Sequence, residues 1–398
     1  MAAPYVFWTC LFLVTYTYLL YPCVLFVIYA VAQARADLRF LTTRRERRRR
    51  PLAEAELPPV TLIVPAYNEE AHLKDKIANV RELDYPRDRL EVLVVDGLSD
   101  DGTRAVVADY ARRHPMIQVL DNPKRTAPHA LNLGITRARG AIIMRMDAHA
   151  HYPPNYVADL VDWLERTGAD YVGGAWVTLP ADGTPTARAI AAVLAHPFGI
   201  GDSRYRLGTN EVREVETLPF GCFRRELFER VGLFDEELAR DQDEEFSFRV
   251  VRAGGRILLV PGVVSSYYAR RSLRQLGRMF YQYGLFKPLV ALKIGRIMTL
   301  RQIVPAAFVL SVLLTVLAAP WVAAARVLGG VILGTYLALT GVCVLVLGWR
   351  HGVRVALAAA GVFPVLHVCY GCGFLRGAWA LLARSRGAFD LRSTPLSR

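Results

Sequence analysis

The chain has 398 residues, 53% of them hydrophobic, and a formal net charge of +13. That length holds one large domain with membrane segments, or two domains, and the apolar content argues against a wholly soluble chain. The densest positive charge is the arginine-rich run Arg44–Arg50, directly after an apolar stretch, which points to a cytosolic membrane flank and anionic lipid rather than to nucleic acid.

Residues 5–32 are almost wholly apolar, longer than a signal-peptide core, and lack a basic leader and a small-residue cleavage site. Residues 1–33 are therefore predicted to form a retained transmembrane helix with its N-terminus outside, and 34–59 a basic cytosolic linker. Residues 60–270 have the texture of an α/β domain. Strands are predicted at 60–64, 90–95, 117–120 and 141–146, and helices at 69–82, 103–113 and 127–138. This alternation implies a mostly parallel sheet with helices on both faces and a ligand site beyond the carboxyl ends of the strands. Residues 271–300 mix basic, aromatic and aliphatic side chains and are expected to form an amphipathic interfacial helix. Residues 301–383 form a C-terminal transmembrane region with apolar stretches at 303–325, 327–347 and 355–382; the last contains Pro364, His367 and Tyr370, and a span, a kinked or re-entrant segment and an interfacial helix all remain open for it. The tail, 384–398, is basic and argues for a cytosolic C-terminus, whereas four full spans would place it outside; its side stays open. The cysteines lie mostly in apolar stretches, and the Cys369/Cys372 pair has no second pair beside it, so packing is expected of them rather than redox or zinc chemistry.

Acidic groups recur where strands end. The first strand runs into Pro65, Ala66, Tyr67, Asn68, Glu69 and Glu70, the second into Asp96, Gly97, Leu98, Ser99, Asp100 and Asp101, the fourth into Asp147, Ala148 and His149. Turn chemistry alone accounts for one such site but poorly for three in register. A carboxylate accepts from a base or ribose, and a cation held by carboxylates neutralises a diphosphate. A further acidic segment, Asp241 to Glu245, opens a predicted helix, where the helix dipole also favours negative charge.

On these residues the chain resembles glycosyltransferase family 2, whose members have the GT-A fold. Pro65 to Glu69 and Asp96 to Thr103 resemble the donor-binding turns of the family, which implies that Pro65, Tyr67, Glu69 and Asp96 hold the nucleotide of a nucleotide-sugar donor, expected to be a UDP-sugar. Asp147, Ala148 and His149 fall where the family usually carries Asp-x-Asp. The resemblance implies a divalent metal, Mg²⁺ or Mn²⁺, at Asp147 with His149, and the imidazole suits a transition metal better than Mg²⁺. Asp243, Glu245, Phe246 and Arg249 match the spacing of the base motif, with Gln242 standing where a Glu is common; Asp243 is then the general base of an inverting transfer. Residues 218–226 resemble the acceptor-side strand and 231–236 the turn before the base motif, placing Gly221 and Glu245 on the acceptor side. Residues 274–280 resemble a degenerate Gln-x-x-Arg-Trp segment in which Arg278 faces the donor diphosphate and Met279 replaces the Trp. A narrower resemblance, to membrane-bound glucosyltransferases of succinoglycan-type exopolysaccharide, implies a hexose, glucose by analogy, and a polyprenyl-linked or other membrane acceptor.

Two rivals remain. A processive synthase would need a packed channel of several spans, and the loss of the Trp speaks against it. A non-catalytic membrane scaffold with a degenerate nucleotide domain is kept alive by Gln242 and His149.

Overall fold

The computed structural model describes residues 56–389 except 202, 297 and 298, together with residues 27, 30, 31, 34, 35 and 52. Residues 1–51 form a unit of their own, of which the described positions are helical. Most of the expected first transmembrane helix and basic linker, and the tail beyond 389, lie outside the described residues.

The first half of the α/β domain follows the expected rhythm: β1 (Val60–Ala66), α1 (Glu70–Arg81), β2 (Leu90–Asp96), α2 (Thr103–Arg113), β3 (Ile117–Asp121), α3 (Ala127–Arg137) and β4 (Ile142–Arg145). β3, β2, β1 and β4 lie side by side and parallel. The second half is mixed. It comprises β5 (Ala150–His151), α4 (Tyr156–Thr167), β6 (Tyr171–Leu179), α5 (Pro185–Leu194), α6 (Pro197–Ile200), α7 (Arg204–Leu207), β7 (Arg213–Glu214), β8 (Cys222–Arg224), α8 (Arg225–Val231), α9 (Gln242–Arg252) and β9 (Ile257–Tyr268). β8 runs antiparallel to both β4 and β6, whereas β6 and β9 are parallel.

The strands read as continuous apolar runs because both sheet faces are covered. Val60, Leu62, Val64, Val92 and Val94 point to one core with Leu73 and Ile77 of α1 and Leu160 and Leu164 of α4. Their neighbours Ile63, Leu93 and Val95 point to the opposite core, with Leu131 of α3, Phe228 of α8 and Phe246 of α9. The period of two along a strand thus assigns each apolar residue to a layer.

Downstream lie α10 (Leu273–Ile294), α11 (Val304–Ala318), α12 (Ala323–His351) and α13 (Val353–Leu382). Ser272 caps α10 by accepting from the Gln275 N–H at 3.3 Å. Three segments, Leu300–Ala318, Ala323–His351 and Val353–Leu382, are long and apolar enough to cross a membrane. The first two are only 11% buried within the protein, so their apolar faces need an apolar surrounding; the third is 44% buried. α13 is one continuous helix through Pro364. It docks on α5 and α10 through Ile190, Val193, Leu276, Phe280, Phe363 and Leu366. His367 on α13 faces the Phe198 carbonyl of α6 at 2.9 Å and the Tyr336 hydroxyl of α12 at 3.0 Å. Cys369 packs where a side chain on Gly277 would stand, in keeping with the packing role expected of it.

α10 and α13 meet backbone to backbone. A Cβ on Gly284 would come within 2.0 Å of the Tyr370 carbonyl, and one on Gly373 within 2.1 Å of the Tyr281 carbonyl. Such close approach is what small residues permit between helices. Gly373→Leu is therefore expected to lower the thermal midpoint in detergent, with an overpacking cost of about 1–3 kcal/mol. Gly341→Leu, at a position with open space beside it, should leave the midpoint unchanged in the same melting experiment.

Candidate active site

The register of the central strands brings three sequence-distant segments to one edge. Ala66 pairs with Asp96, and Ile63 with Arg145, two residues before Asp147. With strands spaced about 4.8 Å apart, Asp96 and Asp147 stand two strand spacings from each other, across β1, or about 10 Å.

The first two strand-end turns are stitched together. Asn68 adopts φ of 53° and Leu98 φ of 55°. The Asn68 side chain donates to Asp100 at 2.6 Å and accepts from the Asp100 N–H at 3.1 Å. The Asn68 N–H donates to Ser99 Oγ at 2.8 Å, and the Glu69 N–H to Thr103 Oγ1 at 2.8 Å. Asp96 is fully buried. Its carboxylate accepts from the Ser99 hydroxyl at 2.6 Å and the Ser99 N–H at 3.2 Å, with Arg104 at 3.5 Å. Asp96 thus shapes the turn that follows it. Tyr67 packs beside Gly97, and the Arg125 guanidinium lies 5.4 Å from its ring centroid.

At the end of β4, Arg145 forks onto Asp147, with Nε to Oδ1 at 2.9 Å and Nη2 to Oδ2 at 3.4 Å. Burial pushes the Asp147 carboxyl up, but Arg145, His149 and Lys76 together outweigh it and leave it below the ordinary carboxylate range. Lys76 of α1 is bonded to the Ala150 carbonyl and lies 4.3 Å from the Tyr152 ring centroid. Burial pulls its ammonium down to about 7, with Asp147 opposing. His149 Nδ1 stands 3.5 Å from Glu69 Oε1, so the first and third segments touch.

The third carboxylate group comes from α9. Asp241 sits at its N-cap with φ of 60°, and Asp243, Glu244 and Glu245 fill the first turn. Burial pushes the Asp243 carboxyl above its ordinary range, with the Arg145 and Lys287 cations opposing. Burial likewise pushes Asp241 up to about 7 against the pull of Lys287. Lys287, from α10, pairs with Asp241 at 2.8 Å and with Glu244, which also accepts from Gln302 at 2.6 Å. Arg145 therefore stands electrostatically between Asp147 and Asp243, and Lys287 ties the acidic turn to α10.

Not every predicted site residue joins this centre. Glu245 is buried and clamps Arg249 through bonds of 2.7 and 2.8 Å, and Arg249 in turn donates to the Leu233 carbonyl at 2.7 Å and to that of Val231. This pair braces the turn before α9. Asn132 braces the same turn, exchanging bonds of 2.9 Å with the Phe234 backbone. Gly221 is demanded by packing: a Cβ there would lie 1.9 Å from the buried Tyr171 ring. Arg278 is exposed on α10 and has no ion pair or hydrogen bond among the described residues. Pro65 ends β1 beside these turns. Sequence reasoning missed Arg145, Lys76 and Lys287. Arg145 carried a signal, a basic residue two positions before Asp147 and hence on the same strand face; Lys287 carried none, lying 44 positions from Asp243 in sequence.

No group of three metal-ligating side chains occurs among the described residues. A hard divalent cation that arrives with a diphosphate needs only one or two protein ligands, the phosphate oxygens supplying the rest. The ionised Asp147 carboxylate with the His149 imidazole close by fits that requirement.

Comparison with known proteins places the chain in a family. The sequence model of a family described as "Glycosyl transferase family 2" matches residues 61–232. The succinoglycan biosynthesis protein ExoA of Rhizobium meliloti is 32% identical over 248 residues, which are 62% of this chain and 74% of the relative. A dolichyl N-acetyl-alpha-D-glucosaminyl phosphate 3-beta-D-2,3-diacetamido-2,3-dideoxy-beta-D-glucuronosyltransferase of Methanococcus voltae is 26% identical over 59% of this chain and 74% of its own length. Among solved structures, the mannosyltransferase PcManGT from Pyrobaculum calidifontis, in complex with GDP-Man and Mn²⁺, superposes with a TM-score of 0.49 at 24% identity, covering 89% of this chain and 97% of that one.

The Gly221 packing generates a direct test of the local architecture. Gly221→Ala should cost about 1–3 kcal/mol by overpacking against Tyr171, read as a lower thermal midpoint. Tyr171→Leu in the same chain should recover part of that loss by making room.

Proposed function

The chain belongs to glycosyl transferase family 2 and is a GT-A glycosyltransferase using a nucleotide-sugar donor; from that premise we propose that it is an inverting enzyme of polysaccharide biosynthesis that moves a hexose from a UDP-sugar to a lipid-linked acceptor at the membrane. The observation that carries this reading is the shared cation: Asp147 and Asp243, 96 positions apart in sequence, both act on Arg145 at the edge where the donor turns meet.

In this reading Pro65, Tyr67, Glu69 and the turn shaped by Asp96 hold the nucleotide. Asp147, with His149, holds the divalent cation, which when bound neutralises the departing diphosphate. Asp243 takes the proton of the acceptor hydroxyl as that oxygen attacks the anomeric carbon from the face opposite the leaving group. Burial makes Asp243 a better base than an exposed carboxylate, while Arg145 and Lys287 oppose the rise and so favour its ionised form. Arg278, exposed on α10, meets the diphosphate only once donor is bound. Gly221 and Glu245 act on the acceptor side through packing and through bracing of the base turn.

The three long apolar helices support a multi-pass membrane protein, and the arginine run before the catalytic domain supports a cytosolic catalytic face. The name of the Methanococcus relative specifies a dolichyl-linked acceptor, which favours a lipid-linked acceptor here, and that of ExoA succinoglycan biosynthesis, which favours polysaccharide synthesis. Glucose is the hexose this likeness favours.

Asp243→Asn is expected to leave donor binding intact and to lower turnover by about 100-fold or more, measured as nucleoside diphosphate release with extracted lipids present. Asp96→Ala should weaken donor binding instead, because the Ser99 turn loses its anchor. Equal losses of binding in both variants would contradict this division of roles.

The pH profile offers an independent check. A base works only when ionised, so activity falls as pH drops through the raised Asp243 pKa, and the neighbouring Asp241, near 7, shares that limb. Lys287→Met removes a cation that opposes both rises and should move the acid limb of kcat/KM to higher pH. An unmoved limb would remove Lys287 from this role.

A further inference from the structure

Beyond the carboxylates, the sheet carries a second polar feature that the catalytic roles leave unused. Trp176 on β6 and Tyr267 on β9 stack at 5.1 Å between centroids and 21° between planes. Tyr205 of α7 meets Trp176 edge-on at 5.0 Å, and Phe220 lies 4.8 Å from it. Into this cluster projects the guanidinium of Arg206, 4.6 Å from the Trp176 ring, 5.7 Å from Tyr205 and 6.0 Å from Tyr267.

Aromatic faces attract a guanidinium but give its N–H groups no conventional acceptor. Arg206 has no carboxylate partner among the described residues; the Tyr205 hydroxyl takes one of its hydrogen bonds, but its Nη1 is buried without one. Two other buried donors are orphaned beside it: Trp176 Nε1, and the hydroxyl of Thr178, two residues along the same face of β6. Thr178 is registered directly against Tyr267. Buried donors are almost always satisfied, so three in one cluster, one of them cationic, call for an acceptor rich in oxygen and negative in charge.

The cluster also has a definite place. Phe220 lies under Arg145, with 5.4 Å from guanidinium to ring, and Tyr267 meets His149 at 6.1 Å, so the cage borders the centre where the diphosphate is proposed to leave. Tyr283 of α10 also acts electrostatically on Arg206. The α6 segment just before Arg206 is bonded through the Phe198 carbonyl to His367 of α13. The cage thus sits between the carboxylate centre and the apolar helices.

We propose that Arg206, with Trp176 and Thr178, forms a phosphoryl-anion site that holds the phosphate of the lipid carrier and so presents the acceptor hydroxyl to Asp243. This deepens, and rests on, the lipid-linked acceptor of the proposed function. The shared chemistry is a phosphate oxyanion; the donor diphosphate is the other source of it, and the two are separable.

Full-length protein is placed in phosphatidylcholine nanodiscs, and binding is measured for undecaprenyl phosphate, for undecaprenol as its uncharged counterpart, and for UDP. Wild type should prefer the phosphate over the alcohol by at least tenfold. Arg206→Gln should erase that preference while keeping wild-type UDP affinity, which also certifies the fold, and Arg206→Lys should retain part of the preference. If Arg206→Gln loses UDP affinity while keeping its thermal midpoint and the lipid preference, the anion is the donor diphosphate and the assignment to the carrier is overturned. If both affinities survive in Arg206→Gln, the site itself is overturned while the lipid-linked reading stands. If wild type shows no preference for the phosphate over the alcohol, the carrier phosphate is not what the cage holds and this proposal is overturned, while the lipid-linked reading is left to the nucleoside diphosphate release assay with extracted lipids.

Discussion

The acidic edge of the sheet is tolerable only because Arg145 and Lys287, both largely shielded from solvent, stand within it. Asp147, Asp241, Asp243 and Glu244 converge where little water remains, and like charges there repel strongly. Arg145 forks onto Asp147 and faces Asp243; Lys287 bridges Asp241 and Glu244. The two cations divide the work. One holds the Asp147 carboxyl below its ordinary range, while the other holds the turn that carries Asp243, whose carboxyl is left higher; the proposed roles of cation ligand and base rest on that difference. Two carboxylates whose environments push their affinities for protons apart form the usual signature of divided roles.

Lys287 also connects the centre to the apolar half of the chain. It belongs to α10, which packs against α13 at glycine-to-backbone distances. That packing leaves little freedom to slide, so the position of the ammonium against the acidic turn is set by a helix pair and not by a flexible loop. The acceptor-side sequence motif acts through the same logic of bracing. Glu245, Arg249 and Asn132 pin the turn before α9, and Gly221 yields its space to Tyr171.

The aromatic cage around Arg206 extends this pattern towards the helices. The carboxylate centre is built from paired charges, whereas the cage holds a charge against ring faces and leaves Arg206 Nη1 and Trp176 Nε1 without a hydrogen-bond partner. A site that spends its donors internally is structural; one that withholds them is equipped to receive a ligand.

Much of the organisation was legible in the sequence. Mostly apolar runs, separated by helical periods, declared the central strands because both faces of the sheet are covered, and the buried exceptions in β1 and β2, Thr61 and Glu91, are paired with each other. Acidic residues just past Val95 and Met146 declared the edge, since a chain leaving a strand carries its next residues to the same rim. The long apolar stretches near the C-terminus declared themselves by length. The tertiary structure alone decided the rest. Nothing local in the sequence distinguishes Lys287 from other basic residues of its helix, or Arg206 from Arg204, because partners are set by which elements pack together. The mixed order of the second half of the sheet, the demand for glycine at 221 and the burial of Asp96 beneath its own turn arise the same way: each is a property of neighbours brought close only by folding.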